Sequence, residues 1–243
     1  QVAPVTAPMG TIGITKTLNG LDLDENMFEF KIEAQTTGEG DTAVSAEQAA
    51  DKAGWKSTEI VFTNDGTTAE AGVQSDSIFN FGGDPVSQDR LTFTKDDAGK
   101  TYEYVISEVG LNDDYDGAHK TESEYVFDTT QYRIQFVPTI VQEDGADILH
   151  LAVYQATRSG SEGAWSDNEL IATFDAYGPV YDGSSRVSNR ALDPRHTVNF
   201  TNSYQPLGLQ IVKVDKVTDE RLSGAYFSLT DSEGNSIVAY KTS

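Results

Sequence analysis

The chain has 243 residues, 37% of them hydrophobic, a formal net charge of −22 and no cysteine. That length and apolar content suit one large domain or two with a real core, and they exclude an intrinsically disordered chain. The acidic balance argues against nucleic acid or an anionic membrane surface as partner, no run of 18 apolar residues marks a transmembrane helix, and disulfides cannot contribute to stability.

The first ten residues, QVAPVTAPMG, lack the charged start and apolar stretch of a secretion signal. They are expected to be a linker or a mature N-terminus. From there period-2 apolar alternation dominates, with strands expected at 11–17, 28–34, 58–63, 90–94, 101–108, 131–139, 148–155, 170–174 and 196–201. One helix interrupts the pattern: Ser45 and Gln48 form a capping box, an Ala-rich stretch follows, and Gly54 stops it. Turn chemistry stands at Asn64-Asp65-Gly66, at 95–99 and at 231–235. No βαβ alternation occurs, so a parallel sheet is not expected.

A boundary is expected near Gln205-Pro206-Leu207-Gly208, where Pro206 cannot donate to a ladder and a fresh alternating run begins. Further strands are expected at 207–214, 225–230 and 236–240. These residues are too few for an independent sandwich, so 206–243 is read as a truncated domain following a domain at 11–205. The fold class expected is all-β, an Ig-like sandwich with one short helical insertion and a partial second sandwich.

Strand side chains of equal parity share a face. Lys16 falls in a row with Ile12, Ile14 and Leu18; Glu108 with Tyr102, Tyr104 and Ile106; Asn202 with Val198 and Phe200. Lys31, by contrast, falls with Glu29 and Glu33, as a surface lysine should. A lysine or glutamate in an apolar row must be neutral or paired. Parity alone leaves two readings, a buried Lys–Glu ion pair with a nearby asparagine or strand ends reaching solvent, and it does not say that the three residues meet.

The segments Gly13–Leu18, Asn26–Glu33, Tyr102–Glu108, Phe127–Tyr132 and Val198–Ser203 together resemble the isopeptide-linkage domain of Gram-positive pilins, the shaft subunits of sortase-assembled pili. The resemblance implies that Lys16 on the first strand joins Asn202 on the last through a self-made amide bond, assisted by Glu108. Those are the residues that parity singles out. Burial would depress the lysine pKa and raise that of the glutamate, leaving a neutral amine to attack the Asn202 carbonyl while protonated Glu108 hydrogen-bonds it. The stretch 207–229 resembles the opening of a collagen-adhesin B-type (Cna-B) domain, in which Lys213 matches the reactive lysine and its partners are absent from the chain.

The resemblance implies a structural cell-surface protein, extracellular and anchored to the cell wall or pilus, with neighbouring domains, other pilin subunits or host-surface ligands as partners. It implies no cofactor and no enzymatic turnover. A stalk repeat of a wall-anchored adhesin and a carbohydrate-binding module of a secreted enzyme are the alternatives. Asn112, Asp114, Asp116 and Gly117 imitate the start of a calcium loop, but Ser123 stands at the twelfth position, so a solvated acidic loop is expected and no metal. His119, His150 and His196 are scattered, and Trp55 and Trp165 read as core or loop anchors rather than sugar platforms.

Overall fold

The computed structural model describes residues 2–7, 12–64, 91–176, 181–182, 185–186, 196–205, 213–218, 220–224, 228–230 and 234–236. The chain divides into two compact units, Gln1–Pro206 and Leu207–Ser243. In the first unit the strands are β1 (Val5–Thr6), β2 (Ile12–Asn19), β3 (Phe28–Gln35), β4 (Glu59–Thr63), β5 (Thr92–Phe93), β6 (Tyr102–Leu111) and β7 (Tyr125–Val126). They continue with β8 (Thr130–Glu143), β9 (Ala146–Ser159), β10 (Glu169–Ala176), β11 (Tyr181–Asp182), β12 (Ser185–Arg186) and β13 (His196–Tyr204). The α-helix, α1 (Ala46–Lys52), lies between β3 and β4 with its Ser45–Gln48 capping box formed.

A six-stranded sheet in the order β10-β9-β8-β6-β3-β4 and a three-stranded sheet in the order β2-β13-β7 send their inner rows into one core. Alternation in the sequence becomes alternation in burial: along β3, Phe28, Phe30, Ile32 and Ala34 are buried while Glu29, Lys31 and Glu33 are not. Phe200 of β13 packs against Phe30 of β3 and Tyr132 of β8, with ring centroids 5.4 and 5.3 Å apart. The all-β sandwich with one short helix agrees with the sequence expectation.

Four features depart from it. Strands β2 and β13 pair in parallel, from His196 opposite Ile12 to Ser203 opposite Asn19. No crossover unit is needed because the two strands come from opposite ends of the unit. Within residues 1–10, expected to be a linker or a mature N-terminus, Val5–Thr6 pairs with Phe93–Thr92 and Val5 and Ala7 are buried, so this part is packed rather than a free linker. The Asn64 side chain is buried rather than exposed in a turn: its Oδ1 accepts the Phe28 N–H at 2.8 Å and its Nδ2 donates to the Asp24 carbonyl at 2.7 Å. Strands β8 and β9 run far longer than expected because Asp144 (φ 50°) and Gly145 (φ 79°) close them with a two-residue turn.

In the second unit the described pairings are two isolated bridges, Val214 with Arg221 and Thr230 with Ser236. Most of the strand stretches expected there, and Asp65-Gly66 of the first turn, lie outside the described residues.

Candidate functional site

Lys16, Glu108 and Asn202 meet inside the first unit. Each arrives by a local rule. On β2 the inward row Ile12, Ile14, Lys16 and Leu18 is 0–1% exposed, so Lys16 is carried into the core by its neighbours. On β13, Val198, Phe200 and Asn202 form the corresponding row, with Asn202 fully buried.

On β6 a bulge decides the matter. Glu29 of β3 stands opposite Gly110 and Phe30 opposite Glu108, which leaves Val109 as the extra residue, and it is 52% exposed. Glu108 therefore ends the inward series begun by Tyr102, Tyr104 and Ile106, and its side chain is 1% exposed.

The glutamate bridges the other two groups. Lys16 Nζ donates to Glu108 Oε2, and Asn202 Nδ2 donates to Glu108 Oε1 at 2.5 Å. Asn202 Oδ1 accepts the main-chain N–H of Asp128 at 2.7 Å. This corrects the expected contact, in which Glu108 would bond the Asn202 carbonyl: it holds the amide nitrogen instead, and the main chain of Asp128 holds the oxygen. Phe28 and Phe30 wall the site, with Lys16 Nζ 4.5 and 5.8 Å from their ring centroids.

Burial governs the proton affinities. Desolvation pulls Lys16 down to about 8, against the attraction of Glu108 and Asp128. Desolvation likewise pushes the Glu108 carboxyl up, against stabilisation by Lys16 and the Asn202 hydrogen bond. Opposite shifts bring amine and acid toward a common range, where a proton passes between them at low cost.

The remaining candidates each have a setting of their own. Lys213 is exposed, and its carbonyl accepts from Leu222 N–H at 2.9 Å. Lys31 is a surface residue 3.1 Å from Glu33 and 4.0 Å from Glu59. Asn112 builds its own turn, accepting from Asp114 N–H at 3.2 Å and donating to the Asn26 carbonyl at 2.8 Å. His119 lies 3.1 Å from the Tyr204 hydroxyl and His150 pairs with Asp175, while the His196 side chain lies outside the described residues. Trp55 is buried against Tyr104, and Trp165 stacks with the guanidinium groups of Arg133 and Arg158 at 5.0 and 4.3 Å.

Sequence reasoning passed over Asp128, although Phe127-Asp128-Thr129-Thr130 has the acidic residue two places before a threonine N–H that an Asx turn uses. It also passed over a second lysine–carboxylate cluster, in which Asp97 accepts from Tyr102 Oη at 2.5 Å, Thr94 N–H at 2.7 Å and Lys52 Nζ at 2.9–3.0 Å.

Residues 12–205 match the family model of the Spy0128-like isopeptide containing domain. The chain belongs to this family. The matched span holds the whole Lys16–Glu108–Asn202 cluster and agrees with the resemblance carried by the sequence motifs. Among solved structures, the major pilin protein (T-13) from Streptococcus pyogenes is similar at a TM-score of 0.33 and 16% identity, covering 84% of this chain and 54% of that one. The chain thus spans about half the length of that pilin. Comparison with curated proteins found no match.

Proposed function

We propose that the protein is a cell-surface structural module, a pilin or pilin-like shaft segment, in which Lys16 and Asn202 condense to an amide bond without an external enzyme. The observation that carries this reading is the Glu108 carboxylate bridging Lys16 Nζ and Asn202 Nδ2, the attacking and the leaving nitrogen, in a site all but closed to solvent.

The chemistry balances on these groups alone. A proton passes from Lys16 to Glu108, leaving a neutral amine and a neutral acid. Nζ attacks Cγ of Asn202. Glu108 gives its proton to Nδ2, the Cγ–Nδ2 bond breaks, ammonia departs, and the carboxylate takes the proton that Nζ must shed. Amides resist amines in water, but folding holds the groups in contact, where effective molarities reach roughly 10⁵ M or more. The event occurs once per molecule, so no turnover is involved.

The bond would close a loop between residues 186 positions apart. Loop-closure entropy, taken over from the treatment of disulfides, gives about 5 kcal/mol. It would also weld β2 to β13, neighbours in the three-stranded sheet, so that tension entering at one end of the unit leaves at the other without loading the six-stranded sheet. That property suits an extracellular, wall-anchored shaft whose partners are neighbouring domains or other subunits. We read 11–205, joined by the packed Val5–Ala7 stretch, as a pilin-type isopeptide module and 206–243 as Cna-B-like sequence in which Lys213 is the candidate reactive lysine.

Intact-mass measurement tests the proposal. The purified chain is expected one ammonia lighter than its sequence, with Lys16→Ala, Glu108→Ala and Asn202→Ala each at full mass. A wild-type chain retaining all its ammonia refutes it. Pulling the chain by its termini tests the mechanical part: the 186 linked positions should yield no extension, a deficit of about 600 Å.

A further inference from the structure

The main chain of Asp128 meets the Asn202 carbonyl, and the Asp128 side chain makes bonds that fix that contact. The main-chain N–H of Asp128 donates to Asn202 Oδ1 at 2.7 Å. The two oxygens of its carboxylate accept from separate main-chain donors, Oδ1 from Thr130 N–H at 2.9 Å and Oδ2 from Thr201 N–H at 2.8 Å. The first contact folds residues 128–130 into an Asx turn at the entry to β8; the second clips that turn to β13, one residue before Asn202. The turn is thus pinned to the strand that carries the reacting amide.

The contact also sets which way Asn202 faces. A main-chain N–H only donates, so it must meet the amide oxygen, and the amide nitrogen is left to face Glu108. With the amide reversed, two donors would oppose each other at Asp128. Asp128 therefore puts the leaving nitrogen on the carboxylate and the carbonyl on a donor.

We propose that the Asp128 N–H is the oxyanion donor for isopeptide formation and that the Asp128 carboxylate is its positioning group. This rests on the linkage reading given above and adds what that reading lacked, a group to receive the charge that appears on Oδ1. When Nζ adds to Cγ, the carbonyl π pair moves to Oδ1; the N–H stabilises that charge until the pair returns and the Cγ–Nδ2 bond breaks. A fixed main-chain dipole held against the buried amide does this without reorganisation, and removal of one such donor in other acyl transfers costs about 10²–10³ in rate. The donor is the backbone, so no substitution at 128 deletes it; substitution only releases it.

The test uses the full chain, recovered unfolded and unlinked, refolded by dilution and sampled by intact mass. Asp128→Ala should fold but lose ammonia at least about tenfold more slowly than wild type. Asp128→Asn, which keeps one acceptor oxygen for Thr130 or Thr201 but not both, should fall between them. In a Lys16→Ala background, which cannot link, hydrogen exchange of the residue-128 amide should be slow with Asp128 present and fast with alanine there, while the β3 and β6 amides stay protected. Wild-type rates in Asp128→Ala, or slow linking with the 128 amide still protected, would overturn the assignment. Should Asp128→Ala fail to fold, Asp128→Asn decides, and a wild-type rate in it refutes the role. A wild-type chain that never loses ammonia sinks the linkage reading itself, an outcome distinct from a wild type that links and an Asp128 variant that links equally fast.

Discussion

Lys16 with Glu108 and Lys52 with Asp97 are both lysine–carboxylate pairs, and both sit among aromatic rings, yet their carboxyls move in opposite directions. The side chains of Lys16 and Glu108 are each 1% exposed, and burial outweighs attraction: the amine is lowered to about 8 and the acid raised. Lys52 and Asp97 are 21% and 9% exposed. Burial would raise Asp97 too, but hydrogen bonds from Tyr102, Thr94 N–H and Lys52, together with the Lys52 charge, outweigh it and hold the carboxyl below its ordinary range. The difference lies less in the pair than in what surrounds it. Asp97 is given enough donors to stay charged and serves as a structural knot between α1 and β6. Glu108 is given one amine and one carboxamide, the two reactants of the proposed linkage. A lysine beside an acid becomes chemistry only where solvent is removed and the remaining partner is an electrophile.

Asn202→Ala should break the contrast most severely. It removes the electrophile, leaves Lys16 and Glu108 as an ordinary buried pair, and abolishes ammonia loss. The melting temperature should fall by about 10–20 °C, the equivalent of the roughly 5 kcal/mol of lost loop constraint. Calorimetry of the two chains measures it.

A pH series sharpens the same point. Linking needs one proton shared by Lys16 and Glu108, so its rate on refolding should be bell-shaped. Above about 8, the value to which Lys16 is lowered, the shared proton is lost and the rate should drop about tenfold per pH unit. A rate that climbs steadily to pH 10 would mean that a free amine suffices and that Glu108 moves no proton.

The second pair should respond as a stabiliser rather than a reactant. Asp97→Ala is expected to cost about 1–3 kcal/mol at neutral pH by leaving Tyr102 and Thr94 without an acceptor, with ammonia loss untouched. The folded carboxyl titrates below the unfolded value of 3.8, so its contribution is present above that value and lost as pH falls through the folded one. The deficit of Asp97→Ala in urea titrations should therefore shrink in strong acid. Smallest of all, Lys31→Ala at the surface should change stability by about 0.5 kcal/mol or less, because its pairs with Glu33 and Glu59 are solvated.

The rows containing Lys16, Glu108 and Asn202 were legible in the sequence because strand parity depends only on neighbours. That the rows converge was not, since it depends on two long-range facts: the parallel pairing of β2 with β13, and the Val109 bulge that ends the inward series of β6 at Glu108. Family resemblance supplied the convergence that periodicity left open. The hydrogen-bond assignment within the site was beyond both. Which end of the Asn202 amide faces Glu108 depends on a main-chain donor at Asp128, and a backbone group leaves no mark in a pattern of side chains. Asp97 was hidden for a related reason. Lys95-Asp96-Asp97 reads as a polar turn, and only the fold shows that Tyr102 and Lys52 close over it.

Peptide mapping of the folded, purified full chain bears on the account most directly. Protease digestion followed by tandem mass spectrometry should yield a branched species in which the peptide holding Lys16 is joined, through the lysine side chain, to the peptide holding Asn202, at their summed mass less one ammonia. Recovery of the two as separate linear peptides, with Lys16 and Asn202 both unmodified, would contradict it.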